Sequence, residues 1–210
     1  MFKEEIEQDN ANTQEDFTGG SSTQSMALNA IGLFFLEVIK IVVLAAITVG
    51  IVRYFLFKPF YVKGESMVPN FQPSDYLIID ELSYRFRPPQ RGEAIVFRAP
   101  MQVQKDYYLK RVIGLPGERI QVEDNKIIVF NEEHPKGVLV KEEYIIEETP
   151  GSVSYVLGED QYFVLGDNRD ASYDSRRFGP IHKDTIVGRT WIRGWPIDTV
   201  EIFQPPQYNF

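Results

Sequence analysis

The sequence predicts a mainly β protein: a curved antiparallel-sheet domain with a small inserted β lobe, preceded by one transmembrane helix. Three observations lead there. An apolar stretch lies near the N-terminus. Beyond Phe57, short runs rich in Val, Ile, Phe and Tyr recur between Gly, Pro, Asn and Asp. No long helical periodicity appears among those runs.

The elements follow in order. Met1–Met26 is polar and acidic (Glu4, Glu5, Glu7, Asp9, Glu15, Asp16) and closes on Gly19-Gly20-Ser21-Ser22, so residues 1–26 are expected to be a disordered tail. Residues 27–57 are expected to form the anchor, since from Leu28 to Phe57 only Glu37, Lys40 and Arg53 interrupt the apolar run. Ile41–Phe57 would span about 26 Å as a helix, enough to cross a ~30 Å hydrocarbon core with help from its flanks. Glu37 and Lys40 can pair at one interface, and Arg53 can reach toward the other. Apolar residues on every face argue against a core helix. A long acidic leader argues against a cleavable signal peptide.

Residues 58–210 carry the β pattern. Strands are expected at Tyr76–Ile79, Ala94–Phe97, Tyr107–Ile113, Lys126–Phe130, Tyr162–Leu165 and Thr190–Ile192. Gly114-Leu115-Pro116-Gly117 and Glu123-Asp124-Asn125 read as turns. The charge-rich stretch at about 121–158 is expected to be an inserted, highly exposed lobe.

Composition narrows the function classes. A net charge of −8 leaves no basic footprint for nucleic acid. The chain has no Cys, which excludes disulfides, thiolate metal sites and cysteine nucleophiles. With only His134 and His182, a multi-histidine metal cluster is not expected, and neither is any cofactor or metal.

Two segments suggest nucleophilic chemistry. In Gly64-Glu65-Ser66-Met67-Val68-Pro69, a small-residue turn presents a serine whose hydroxyl becomes a nucleophile only beside a base. In Tyr108-Leu109-Lys110-Arg111-Val112-Ile113, a lysine sits among apolar neighbours, and burial there would lower its pKa toward the range of a general base. Together they read as a serine–lysine dyad. A third block, Gly166-Asp167-Asn168-Arg169-Asp170-Ala171-Ser172-Tyr173-Asp174-Ser175-Arg176, is polar and turn-rich. It fails as a calcium loop, because Ser175 and Ile181 stand where Gly and Glu are needed.

The three blocks, in this order behind an apolar segment, resemble type I signal peptidases, the membrane-anchored enzymes that remove signal peptides. The match runs from about Phe57 to Phe203. The resemblance implies a catalytic β domain with Ser66 as nucleophile and Lys110 as general base. It implies that Ser172 hydrogen-bonds the Lys110 amine, and that Asp174 and Arg176 form ion pairs with Arg111 that brace the site. The Ser66 N–H is the expected oxyanion donor. Many relatives place a second serine two positions earlier, where this chain has Gly64, so a second donor is unassigned. Asn70 stands where Thr is commoner.

The resemblance also implies that a substrate peptide lies between the strand before Ser66 and the strand before Lys110. Phe60, Val62, Phe71, Tyr108 and Leu109 would line shallow pockets that admit an Ala-x-Ala pattern before the cut. The implied partners are signal peptides of preproteins and the lipid bilayer, with the catalytic domain on the trans side of a plasma membrane. Charge alone leaves the orientation open. Competing readings are a serine–histidine–aspartate hydrolase using His134 or His182, a repressor-type serine–lysine autopeptidase, and a non-enzymatic membrane-anchored β module.

Overall fold

The computed structural model describes residues 19–55, 57–100 and 107–210, so the expectation of disorder for residues 1–18 lies outside the described residues. Helix α1 spans Gly19–Phe55. Residues 19–26, expected within the tail, are therefore helical; extending a helix that already exists avoids the nucleation cost a separate segment would meet. The stretch Ile31–Gly50 is long and apolar enough to cross a membrane. Its side chains are exposed throughout, unlike those of a core helix. The window starts upstream of the expected one and takes in Glu37 and Lys40, whose 2.9 Å ion pair leaves the stretch without net charge.

The helix stops where Pro59 forbids it, since proline lacks the N–H a helix needs and pushes the preceding residue into extended backbone. Phe57, expected as the last anchor residue, instead opens strand β1 (Phe57–Tyr61) and pairs with Asp80. Residues from Val52 onward form a compact unit of their own.

Eleven further strands follow: β2 (Tyr76–Asp80), β3 (Ala94–Arg98), β4 (Tyr107–Gly114), β5 (Arg119–Glu123), β6 (Lys126–Phe130), β7 (Val138–Leu139), β8 (Val153–Val156), β9 (Gln161–Leu165), β10 (Ile181–His182), β11 (Ile186–Trp195) and β12 (Glu201–Ile202). A short helix α2 (Ser175–Phe178) lies between β9 and β10. Among the described residues the strands form two antiparallel sheets. The larger has eight strands in the order β1-β2-β11-β3-β4-β9-β10, with β12 alongside β11; the smaller has four, β7-β6-β5-β8. The long β11 shifts register against both neighbours, and such bulges bend and twist a strand, which curves the large sheet.

Alternation along β3 shows why the sheet is covered on both faces. Ala94 and Val96 enter one core with Val62, Met67, Phe71, Leu77, Ile79 and Leu109. Ile95 and Phe97 enter another with Val112, Tyr162, Val164 and Ile181. The small sheet corresponds to the stretch expected as an inserted lobe, but its expected high exposure is wrong for one face. Ile120, Val122, Ile127 and Val129 pack with Ile113, Phe163 and Leu165 of the large sheet in a third, shared core. Its charges lie on the other face, because strand side chains alternate. The β5–β6 hairpin closes through Asp124 and Asn125, both at positive φ, as a two-residue hairpin turn requires.

Candidate active site

After β1 the chain leaves the large sheet in a loop that is pinned at both ends. Val62 N donates to Asp75 O (3.0 Å) and Ser74 N to Val62 O (2.9 Å). Met67 and Phe71, each 1% exposed, anchor the loop in the core beneath it. Ser66 is thus held between two fixed points. Its own carbonyl accepts from Asn168 N at 3.1 Å, which fastens the loop to the segment after β9. That approach needs Gly166, where an added Cβ would come within 2.4 Å of Ser66 O and 2.2 Å of Ser172 Oγ.

Lys110 comes from β4, at the last position before β9 begins to pair with that strand. Its Nζ lies 2.7 Å from Ser66 Oγ and 3.1 Å from Leu109 O, and the residue is 4% exposed. Burial pulls the amine down to about 8, against the opposing influence of Asp174 and Asp167. About one-tenth of the amine is therefore neutral at pH 7, within hydrogen-bond reach of a hydroxyl, and the share rises to about half near pH 8.

Two ion pairs lie near Ser66 and Lys110, and their partners differ from those expected. Arg111 pairs with Asp167, Nε to Oδ1 at 2.8 Å and Nη2 to Oδ2 at 2.5 Å, and Nη1 donates to Gly92 O at 2.8 Å. Burial disfavours the Arg111 charge, but the Asp167 carboxylate prevails and holds the pKa above its ordinary value. Asp174 and Arg176 pair with each other instead of with Arg111 (Nε to Oδ1, 2.9 Å). Asp174 is committed locally: it caps α2 through Arg176 N and accepts from Gly166 N at 3.1 Å. The expectation for Ser172 is also corrected. Its Oγ is buried and has no hydrogen-bond partner among the described residues, while the Lys110 amine bonds to Ser66 and Leu109.

A cleft of about 790 Å³ opens beside Ser66 and Lys110. Phe60 and Val62 line it on the β1 side and Tyr108 and Leu109 on the β4 side, and Gly64 lines it as well. Tyr107, Ala171 and Tyr173, which the sequence did not single out, line it too. Phe71 does not. It is buried beneath the loop and stacks on Phe203 with ring centroids 4.5 Å apart, because the turn after Pro69 brings the chain back to the core. Both walls present unpaired strand edges among the described residues: β1 pairs only with β2, and β4 before Arg111 pairs only with β3. The histidines stand elsewhere. His134 faces Phe210 and His182 pairs with Asp184, and neither lines the cleft.

Comparison with known proteins is consistent with this geometry. Residues 35–195 match the family described as "Signal peptidase, peptidase S26". The chain is 34% identical to Signal peptidase I of Leptolyngbya laminosa over 183 residues, covering 82% of this chain and 86% of that one. It is 37% identical to Probable signal peptidase I-2 of Synechocystis sp. over 174 residues, covering 79% and 76%. With Signal peptidase IB of Staphylococcus aureus (strain MRSA252) it shares 32% over 188 residues, covering 83% and 94%. A crystal structure of a signal peptidase I from Enterococcus faecalis V583 aligns with TM-score 0.42 and 30% identity, over 49% of this chain and 97% of that one.

Proposed function

The chain belongs to the signal peptidase family, peptidase S26, and from that membership we propose that it is a membrane-anchored serine endopeptidase that removes signal peptides by a Ser66–Lys110 dyad. The observation that carries the reading is the 2.7 Å contact between Lys110 Nζ and Ser66 Oγ in a buried setting. Neutral Lys110 takes the Ser66 proton as Oγ attacks the carbonyl carbon of the scissile bond. The oxyanion so formed accepts from the Ser66 N–H. The Lys110 ammonium then gives its proton to the leaving amine, the C–N bond breaks, and an ester links Ser66 to the peptide. Water, deprotonated by Lys110, attacks that ester; the proton returns to Oγ as the C–O bond breaks and the acid is released.

The substrate reading rests on the cleft. A peptide strand entering between β1 and residues 107–110 would find free backbone donors and acceptors on both sides. Alternate side chains would meet shallow pockets under Phe60, Val62, Tyr108 and Leu109, which favours small residues and hence an Ala-x-Ala pattern before the cut. The apolar α1 stretch suits a bilayer anchor, with the β domain on the trans side of a plasma membrane. The test is cleavage of a synthetic Ala-x-Ala peptide. Ser66→Ala and Lys110→Met should each abolish it in folded protein, and the double variant should be no worse than either, since members of one catalytic unit are non-additive. Activity in Lys110→Met with loss in His182→Ala would instead establish a histidine base.

A further inference from the structure

Residues 203–210 pass behind the cleft, and none of them lines it. Phe203 stacks on Phe71 under the Ser66 loop. Pro206 and Tyr208 lie on Gly92, where a Cβ would come within 3.0 Å of Pro206 Cδ and 2.9 Å of Tyr208 Cε2. The Tyr208 hydroxyl meets the Tyr144 hydroxyl at 3.0 Å. Asn209 bonds the edge of the small sheet in both directions, accepting from Lys141 N (3.1 Å) and donating to Leu139 O (3.2 Å). The Arg91 guanidinium covers the Phe210 ring at 4.8 Å.

Two of the groups this segment touches are the ones that frame Arg111. The Arg111 guanidinium lies 4.4 Å from the Tyr144 ring, donates to Gly92 O and pairs with Asp167. Asn70 Nδ2 ties Tyr144 O (3.2 Å) to Asp167 Oδ2 (2.9 Å). A cavity of about 160 Å³ adjoins the guanidinium between Phe71, Tyr144, Phe203 and Pro206. Arg111 is thus held by specific contacts where close packing is missing. It follows Lys110 directly in the chain, while Asp167 directly precedes Asn168, whose N–H holds Ser66 O. The Arg111–Asp167 pair therefore closes a short loop between base and nucleophile.

We propose that residues 203–210 are a positioning strap for the Ser66–Lys110 pair: Pro206 and Tyr208 hold Gly92 and Tyr144 against Arg111, which through Asp167 and Asn168 fixes Ser66 relative to Lys110. This rests on the reading of that pair as nucleophile and base. Tyr144 and Tyr208 act as positioning residues. The charges facing Lys110 are Asp167, compensated by Arg111, and Asp174, compensated by Arg176. Around Arg111 itself stand Asp167, Tyr144 and Tyr208, with Glu142 and Arg169 paired just beyond Tyr144. Loosening Arg111 leaves Asp167 less compensated, which favours the protonated form of Lys110.

The experiment uses the full chain in detergent with a fluorogenic Ala-x-Ala peptide. Tyr208→Ala should lower kcat by roughly 10- to 100-fold with KM within about two-fold, as a small misplacement of reacting groups does. Its acid limb in kcat/KM should move up by about 0.5 pH units or more. Tyr208→Phe, which keeps the ring on Gly92, should recover most of kcat. Thermal melts establish that each variant is folded at the assay temperature. Should Tyr208→Ala not fold, Tyr208→Leu, which keeps apolar bulk but takes the ring off Gly92, is expected to show the same upward movement of the acid limb. Parental kcat and acid limb in a folded Tyr208→Ala, or a fall in kcat with an unmoved limb and no recovery in Tyr208→Phe, overturns the strap. If the parent leaves the peptide uncut, or Ser66→Ala matches it, the dyad reading fails instead. NMR titration of the Lys110 amine then decides the strap alone: a higher pKa in Tyr208→Ala supports it, and an equal one rejects it.

Discussion

Lys110 is buried on β4, with the Tyr108 ring centroid 5.5 Å from its Nζ, and the loss of solvation acts on stability as well as on reactivity. The folded pKa of about 8 lies below the ordinary 10.5, so the unfolded chain binds the extra proton between those values and stability rises with pH across that window. Below about pH 8 both states are protonated and the full cost applies, on the order of 3 kcal/mol. Above about pH 10.5 it is gone. Lys110→Met should therefore be more stable than the parent at pH 7 by roughly 2–3 kcal/mol in urea unfolding, with the gap closing toward pH 11. Equal stabilities at pH 7 would mean the amine is not desolvated. A second residue-scale prediction concerns Gly64, whose Cβ position is open, with nothing within 4 Å. Gly64→Ser can place a hydroxyl near Ser66 without a clash, and on the proposed mechanism kcat should rise by up to about 10-fold if it reaches the oxyanion. An unchanged or lower kcat would place the second donor elsewhere. The meeting of Ser66 and Lys110 was legible in the sequence because each sits in a distinctive local pattern. The partners of Arg111 and Ser172 were not, since they depend on the path of the loop after β9, which no local periodicity records.

The elements were legible in proportion to their burial. β3, β4 and β9 bury both faces, and their near-continuous apolar runs gave them away. β7, β10 and β12 have two residues each and draw their existence from neighbours, so nothing in their own sequence marks them. β1 begins in the apolar tail of the expected anchor, and the family resemblance, not its own residues, implied a strand before Ser66. Phe71 shows how loop geometry decides a role. The family resemblance implied a pocket wall, yet the loop turns it inward onto Phe203. The two aromatic truncations should therefore separate. Tyr108→Ala removes a cleft wall and should raise cleavage of peptides with Leu or Phe before the cut relative to Ala, with little loss of stability. Phe71→Ala opens a core cavity and should cost about 3–5 kcal/mol while leaving that preference unchanged. Profiling every residue at the position before the cut, alongside denaturation curves, checks both. A preference that relaxes in Phe71→Ala and not in Tyr108→Ala would return Phe71 to the pocket.

At the scale of the whole chain, the described residues fall into two compact units, one holding the apolar helix and one the β domain. The described residues up to Ile51 belong to one compact unit and those from Val52 to another, and the three cores of the β domain are built from residues 60–210. The stability of the site should then be independent of the helix, while its access to membrane-bound substrate should not be. A chain that begins at Val52 is expected to unfold at a denaturant midpoint close to that of the full chain, because the same apolar surface is buried. Its kcat/KM on a short water-soluble peptide should stay within about three-fold of the parent, since Ser66, Lys110 and both cleft walls lie within that unit. On a preprotein embedded in vesicles the same chain should lose on the order of 100-fold, because two partners confined to one membrane meet at a far higher effective concentration than a soluble enzyme and a membrane-bound substrate. Measuring both substrates with both chains separates the two contributions. Loss of peptide cleavage in the shortened chain would show that the helix helps to build the site. Equal rates on embedded preprotein would show that anchoring contributes nothing to encounter.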